Sequence, residues 1–494
     1  MVLDDMWTRD AWKSLSAGFP MNEETGSRVL ITTRNKEVVS EAHESVYLHP
    51  IRPLNDAESW ELFKKIVTFG RDNTSIFSTN PFIFTFRINQ LSIVRYYVTP
   101  FGSDILIPPT DGQLRSLLYF KSDEPWYGKP IRPWFQNFKL LRVLSFEGFR
   151  RVVKLPSTIG NLVHLRFFSL KLCNVARFPS SMSKLVCLQT LDLRCFGGFD
   201  MKRRHRNLHN VIRHLGQLRH LYLPARGFRA AEKRVLPLAT LGNLQTLVNA
   251  SNYDCRLSDL AGLTNLRKMS IVIVPPEDEM NNVDSETIQF NRLQSLSLES
   301  STEVEVSVRI LLSCRNIYKL ELAGPIAELP KDLLEYPNLT QIKLYGTSRM
   351  DEHIKILEQL PHLKFLWLWY VILENPILVF SKQGFPCLEF LSISWISQLK
   401  EWRVEEGAMN CLRRLQVTFC SELKEVPDGL RYIEKLEELA IIMPPEFCSA
   451  LRKGGKDFDK IKHVASVNLV DISERNKRPD WEQFSSEEST ADAV

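Results

Sequence analysis

LVCLQTLDLR, residues 185–194, decides the fold, because its second half, LQTLDL from Leu188, is an L-x-x-L-x-L pattern that returns throughout the chain. The clearest other copies are LRHLYL from Leu218, LQSLSL from Leu293, LKFLWL from Leu363, LEFLSI from Leu388 and LEELAI from Leu436. The first apolar residue of each copy falls at Leu141, Leu165, Leu188, Leu218, Leu244, Leu266, Leu293, Ile317, Leu339, Leu363, Leu388, Leu412 and Leu436, a period of roughly 25 residues. Weaker copies are read at Leu114 and Val464.

In each copy alternate apolar residues point inward from a short strand. The segment that follows turns back over the core, often through Leu-Pro as in KLPSTIGNL and ELPKDLL. One copy cannot bury its own apolar face. Stacked copies share one core and a parallel ladder with strands about 4.8 Å apart, so residues 113–470 are expected to form a leucine-rich repeat solenoid, a horseshoe or arc. Function is then sought at the x positions, which face away from the core. Arg142, Arg166, Arg219 and Arg267 share one register and predict a basic patch, while Phe365, Trp367 and Trp369 predict an aromatic one. Such side chains either keep an exposed sheet soluble and fill gaps, or they make protein contacts, a use to which arginine and aromatic residues are suited.

Composition limits the rest. With 44% apolar residues and a net charge of +5 over 494 residues, the chain is an ordinary globular sequence with no specific nucleic-acid partner expected, although Lys202–Arg206 reads KRRHR. No apolar run approaches the roughly 20 residues of a membrane span, and Asp4 and Asp5 interrupt the start where a secretory signal is apolar. The expected location is cytoplasmic. Nine cysteines without a CxxC pair fit neither a disulfide framework nor a zinc site and are expected to be reduced. Residues 471–494, polar and acidic, are expected to be a disordered tail.

The N-terminal segments read differently. MVLDD is an apolar stretch ending in two carboxylates, GSRVLITTR a strand over Val29–Ile31 followed by Thr32, Thr33 and Arg34, and YLHPIRPLNDAESWELFKKIV a strand and an amphipathic helix. The alternation is parallel α/β. An aspartate at the end of such a strand is where P-loop nucleotidases place a Mg²⁺ ligand, and two surface acids capping a helix look the same.

VLDDMW, GSRVLITTR and the LNDAESWELFKK segment together resemble, in order and spacing, consecutive motifs of the NB-ARC nucleotide-binding domain of plant NLR disease-resistance proteins of the coiled-coil class. IGNLVHLRFFSL and QLRHLYLP resemble the repeats of the same class. The resemblance implies a partial P-loop-type α/β NB-ARC fragment over residues 1–68, ADP or ATP with Mg²⁺ as its ligand, Asp4 as the Mg²⁺-associated carboxylate, Asp5 as the acid beside the reaction centre and Arg34 as the γ-phosphate sensor. It further implies a plant immune receptor whose repeats recognise a pathogen effector or a host protein.

The sequence departs from the family pattern in one essential. No G-x-x-x-x-G-K-[ST] loop occurs, so the backbone cradle and lysine that grip the phosphates are missing, and the M-H-D motif is missing too. Residues 69–112 stand where the pattern has some two hundred more and show neither a period of 2 nor one of 3.6, so they read as an irregular junction. Expected, then, is a truncated receptor with weak or no nucleotide binding and no enzymatic activity. The alternatives are a truncated regulator or decoy that associates with the same partners or a full-length NLR, or a nonfunctional remnant. In the family sheet the P-loop strand lies between the strand ending at Asp4 and that at Val29–Ile31. Direct pairing of those two would be its repair.

Overall fold

The computed structural model describes residues 2–3, 30–31, 83–88, 91–97, 115–120, 138–148, 152–175, 177–194, 208–224, 236–252, 255, 257–260, 262–273, 289–300, 308–326 and 328–472. The chain divides into two compact units, Met1–Asn73 and Thr74–Val494.

In the first unit two short strands, Val2–Leu3 and Leu30–Ile31, pair directly in parallel, Val2 with Leu30 and Leu3 with Ile31. Asp4, Asp5, Arg34 and the expected helix over Glu58–Val67 lie outside the described residues.

The second unit is dominated by one ladder, beside which Val152–Val153 pairs with Asn174–Val175 and Ile377–Phe380 with Glu401–Val404. Its parallel rungs run from Leu91–Tyr97 and Ser116–Phe120 through Val143–Glu147, Phe167–Ser169 and Thr190–Asp192 to Glu438–Met443 and Ser466–Asp471. Every sequence copy supplies a rung in register, and so do the two weaker ones. In the middle rungs the pattern of burial alternates: in Lys319–Ala323 and Gln341–Tyr345 only Leu320, Leu322, Ile342 and Leu344 are buried. These leucines and their equivalents form one continuous core.

The approach to each rung explains the spacing of three. Leu185 N–H donates to Met182 O at 3.0 Å and Leu188 N–H to Leu185 O at 3.0 Å, successive tight turns that bring residues three apart onto one face. At Leu191 the chain enters a strand, and the inward spacing falls to two. Prolines prepare the return. Pro156, Pro179, Pro330 and Pro427 each precede a 3₁₀ turn, with φ between −65° and −73°, the value their rings impose.

Two expectations are corrected. The supposedly irregular 69–112 contains the strands Ile83–Ile88 and Leu91–Tyr97, paired antiparallel, and the second of them is a rung of the ladder. At the other end Asp471, expected in the tail, closes a strand; residues 473–494 lie outside the described residues, as do 202–206. The described cysteines are free thiols. Burial pushes the Cys420 thiol up to about 11, and that of Cys314 higher still, so neither is a nucleophile.

Candidate protein-recognition face

The second residue of each copy stands just before its strand, and its amide donates to the carbonyl of the same position one rung earlier. The chain of bonds runs from Arg142 to Arg115 at 2.7 Å, Arg166 to Arg142 at 2.8 Å, Gln189 to Arg166 at 2.7 Å, Arg219 to Gln189 at 2.7 Å, Gln245 to Arg219 at 2.7 Å and Arg267 to Gln245 at 2.8 Å. Arg142, Arg166, Arg219 and Arg267 therefore do share one column, with Gln189 and Gln245 between them, and Arg115 joins it from the weak first copy. All four are exposed. Among the described residues none of them meets a carboxylate; Glu147 pairs instead with Lys171 at 2.8 Å and Asp192 with Arg194 at 2.6 Å. Arg194 is raised above its ordinary pKa by its hydrogen bonds to Asp192. His220, next to Arg219, is lowered by burial and then by that charge, and its Nδ1 lies 3.0 Å from Thr246 Oγ1.

Further along, the same column compensates itself. Lys364 pairs with Glu389 on the next rung at 2.9 Å, and Arg413 with Glu437 at 3.9 Å.

The aromatic residues singled out in the sequence fall on one rung, Phe365–Trp369, but play different parts. Trp367 is only 7% exposed. It stacks on Phe365 at 6.0 Å, leans on Phe390 at 5.2 Å and is capped by Lys343 Nζ, 4.5 Å from the ring centre. Trp369 is half-buried and pinned, its Nε1 donating to Ser392 Oγ at 3.3 Å, which in turn lies 3.2 Å from Ser394 Oγ. Thr418 Oγ1 donates onward to Ser394 at 2.8 Å. Trp367 is thus a packed residue of the face, where its outward position in the repeat had suggested an open one.

A further group of aromatics had not been singled out. Tyr370, Trp395 and Phe419 each follow the end of a rung, on three consecutive strands, and form a stack: Tyr370 to Trp395 at 5.3 Å and 13°, Trp395 to Phe419 at 4.2 Å and 20°. Tyr345 adds an edge at 5.3 Å from Tyr370. Tyr345, Tyr370 and Trp395 are 50%, 43% and 38% exposed.

Their backbone is unusual. The φ angles of Tyr370, Trp395 and Phe419 are 52°, 58° and 55°, left-handed values that side chains rarely take. Geometry of the ladder imposes them: each amide donates forward to the next rung, Tyr370 to Ser394 O at 3.0 Å, Trp395 to Thr418 O at 2.9 Å and Phe419 to Ile442 O at 2.8 Å. Earlier rungs place Gly324 and Gly346 at this position, with φ of 82° and 62°. An aromatic residue there costs about 1–2 kcal/mol that glycine avoids. The signal was present in the repeats as WLWY, SISW and VTFC, an aromatic at the eighth position of three successive copies.

In the first unit Val2–Leu3 and Leu30–Ile31 are direct neighbours, with no strand between them.

Comparison with known proteins agrees with both units. The leucine-rich repeat region family matches residues 113–452, and the NB-ARC domain family matches residues 1–73, the span of the first unit. Among Arabidopsis thaliana proteins, probable disease resistance RPP8-like protein 2 is 36% identical over 72% of this chain, disease resistance protein RPP8 is 33% identical over 73%, and disease susceptibility protein LOV1 is 35% identical over 73%. The chain covers 39% of the length of each of these relatives. No helix among the described residues is long and apolar enough to cross a membrane. The chain belongs to the leucine-rich repeat region family and, with an NB-ARC segment ahead of its repeats, carries the domain pair of plant NLR disease-resistance proteins.

Proposed function

We propose that the repeat face is the recognition surface of a plant immune receptor, seating a pathogen effector or a host protein on the stack of Tyr345, Tyr370, Trp395 and Phe419 and on the adjoining Phe365 and Trp369. One observation carries this reading: the rings of Tyr370, Trp395 and Phe419, the first two of them exposed, are kept at a backbone position that glycine would fill without strain. Large, pre-ordered rings are what protein interfaces use as anchors, because little side-chain freedom is lost on binding. Arg142, Arg166, Arg219 and Arg267 flank the surface as a separate electrostatic feature.

The experiment compares the wild-type chain with the Tyr370→Gly, Trp395→Gly, Phe419→Gly variant as baits in extracts of healthy and infected plant tissue, scored by quantitative mass spectrometry. Glycine removes the rings and relieves the left-handed strain, so the fold is retained. A partner held by the wild type and lost by at least tenfold in the variant is expected. Identical binders for both chains would sink the proposal.

The first unit favours a sensor without a switch, a regulator or decoy rather than a nucleotide-driven receptor, since its two strands meet where the phosphate-binding strand belongs. Nucleotide would then bind weakly or not at all, leaving Asp4, Asp5 and Arg34 without the Mg²⁺ and phosphate roles they have in the family. Titration with labelled ADP and ATP, with and without Mg²⁺, is expected to give no submicromolar binding. Tight binding that is lost in Asp4→Ala would establish a working nucleotide site.

A further inference from the structure

We propose that Cys387 and Cys411 form a cross-rung dithiol that a peroxide oxidises to a disulfide, a modification site on the flank of the ladder. Among the described cysteines, Cys173, Cys255, Cys314, Cys420 and Cys448 are buried, while Cys187, Cys387 and Cys411 reach solvent. These three share one position, directly before the first leucine of a copy: Leu188, Leu388 and Leu412. Cys187 has His164 and Gln217 at that position on the rungs to either side, whereas Cys387 and Cys411 belong to consecutive rungs. Their turns match residue for residue. Phe385 and Met409, two places before each cysteine, take the same left-handed φ of 57° and 52°, and Phe390 pairs with Arg414, three places after.

Spacing decides whether the sulfurs can join. At a rung spacing of about 4.8 Å, equivalent Cα atoms fall within the roughly 4.4–6.8 Å that a disulfide spans. Equivalent positions also give parallel Cα–Cβ bonds, so closure must draw the two β-carbons together, and a bond made that way is more easily reduced than a relaxed one. Lys435, at the same position on the following rung, donates from Nζ to Cys411 Sγ at 3.8 Å, so an ammonium balances the charge of the attacking thiolate. Cys387 lines an open cleft with His362 and Lys364, which leaves an approach for a small oxidant. The Cys411 thiolate attacks a peroxide oxygen: an S–O bond forms, the O–O bond breaks, and hydroxide leaves and takes up a proton as water. The Cys387 thiolate then attacks the sulfenic sulfur: an S–S bond forms, the S–O bond breaks, and a second water leaves. Two thiols and one hydrogen peroxide thus give one disulfide and two waters. The link ties together the two rungs whose ends carry the stacked Trp395 and Phe419, and it stands whether or not that stack seats a partner.

The test treats the full, initially reduced chain with hydrogen peroxide and follows it by tryptic peptide mapping under non-reducing conditions. A crosslink between peptide 383–400, which holds Cys387, and peptide 404–413, which holds Cys411, is expected, and dithiothreitol is expected to release it. In Cys387→Ser the reaction is expected to stop at the Cys411 sulfenic acid, trapped by dimedone. Lys435→Met is expected to slow loss of the Cys411 thiol by about threefold or more. Circular dichroism confirms that both variants fold, and the wild-type crosslink does not depend on them. Wild-type chains in which Cys387 and Cys411 still take up iodoacetamide after peroxide, or carry separate sulfinic acids, would overturn the proposal. An unchanged rate in Lys435→Met would overturn Cys411 as the attacking sulfur.

Discussion

The early and late rungs of the ladder are built on the same inward leucines, yet their outward faces obey different rules. The early column before the strands carries Arg115, Arg142, Arg166, Arg219 and Arg267 without an ion pair among the described residues, and the rings on its strands, such as Tyr222, serve locally: Arg194 lies 4.6 Å from the centre of that ring. From Lys343 to Phe419 charges are paired across rungs or laid on aromatic faces, and the rings associate with one another. A shared core thus says nothing about what the face does. A repeat spends its consistency on the buried positions and leaves the outward ones free to diverge.

That contrast should appear first in stability. Trp367, almost wholly covered by Phe365, Phe390 and Lys343, behaves as core despite its outward position, so Trp367→Ala should cost about 3–5 kcal/mol in urea unfolding. Arg142→Ala, at an exposed site of the early face, should stay within about 0.5 kcal/mol. A small loss for Trp367 would return it to the open recognition surface and blur the distinction between the two faces.

A second, smaller effect separates backbone strain from ring packing. Trp395→Gly and Trp395→Ala delete the same stacking, each contact being worth about 0.5–1.5 kcal/mol, but alanine keeps a β-carbon at φ 58°. The glycine variant should be more stable than the alanine variant by about 1 kcal/mol. At Tyr222, which lies within an ordinary strand, the order should reverse, because glycine weakens an extended segment. Paired denaturant melts of the four variants check both statements.

What could be read from the sequence follows from these physical differences. The ladder was legible because Leu188, Leu191 and Leu193 and their equivalents meet the same environment in every copy, which makes the signal periodic. Direct pairing of Val2–Leu3 with Leu30–Ile31 was legible as the repair of a missing neighbour. The strand Leu91–Tyr97 was not, since its register is set by pairing with Ser116–Phe120, well separated along the chain, and by no local alternation. Tyr370, Trp395 and Phe419 escaped notice because bulky residues are disfavoured where φ is positive, so a reading based on strand positions stops one residue short of them. Burial of Trp367 depends on rings from its own and the next rung and on a lysine from the preceding one, a conjunction that no single copy displays.

The finest test of the contrast is pH, because one group in each half, His220 half-buried and Glu358 buried, responds with opposite sign. His220, on an early rung, has its folded pKa lowered by burial and by Arg219, so at acid pH the unfolded chain binds the proton more readily. Its contribution is present above the ordinary histidine value near 6.5 and is lost as pH falls through the folded value. Glu358, behind the late rungs, is raised by burial, although Ser381 N–H donates to its Oε1 at 2.6 Å and partly offsets the shift. Here the folded chain holds the proton more firmly, so the contribution is present below the ordinary carboxylate value and is lost as pH rises through the folded one. Measured as unfolding free energy between pH 4 and pH 8, His220→Gln should flatten the loss of stability on acidification. Glu358→Gln, which keeps the acceptor for Ser381, should instead gain relative to wild type toward neutral pH and converge with it in acid. Parallel pH profiles for the two variants would show that the halves share one electrostatic character after all.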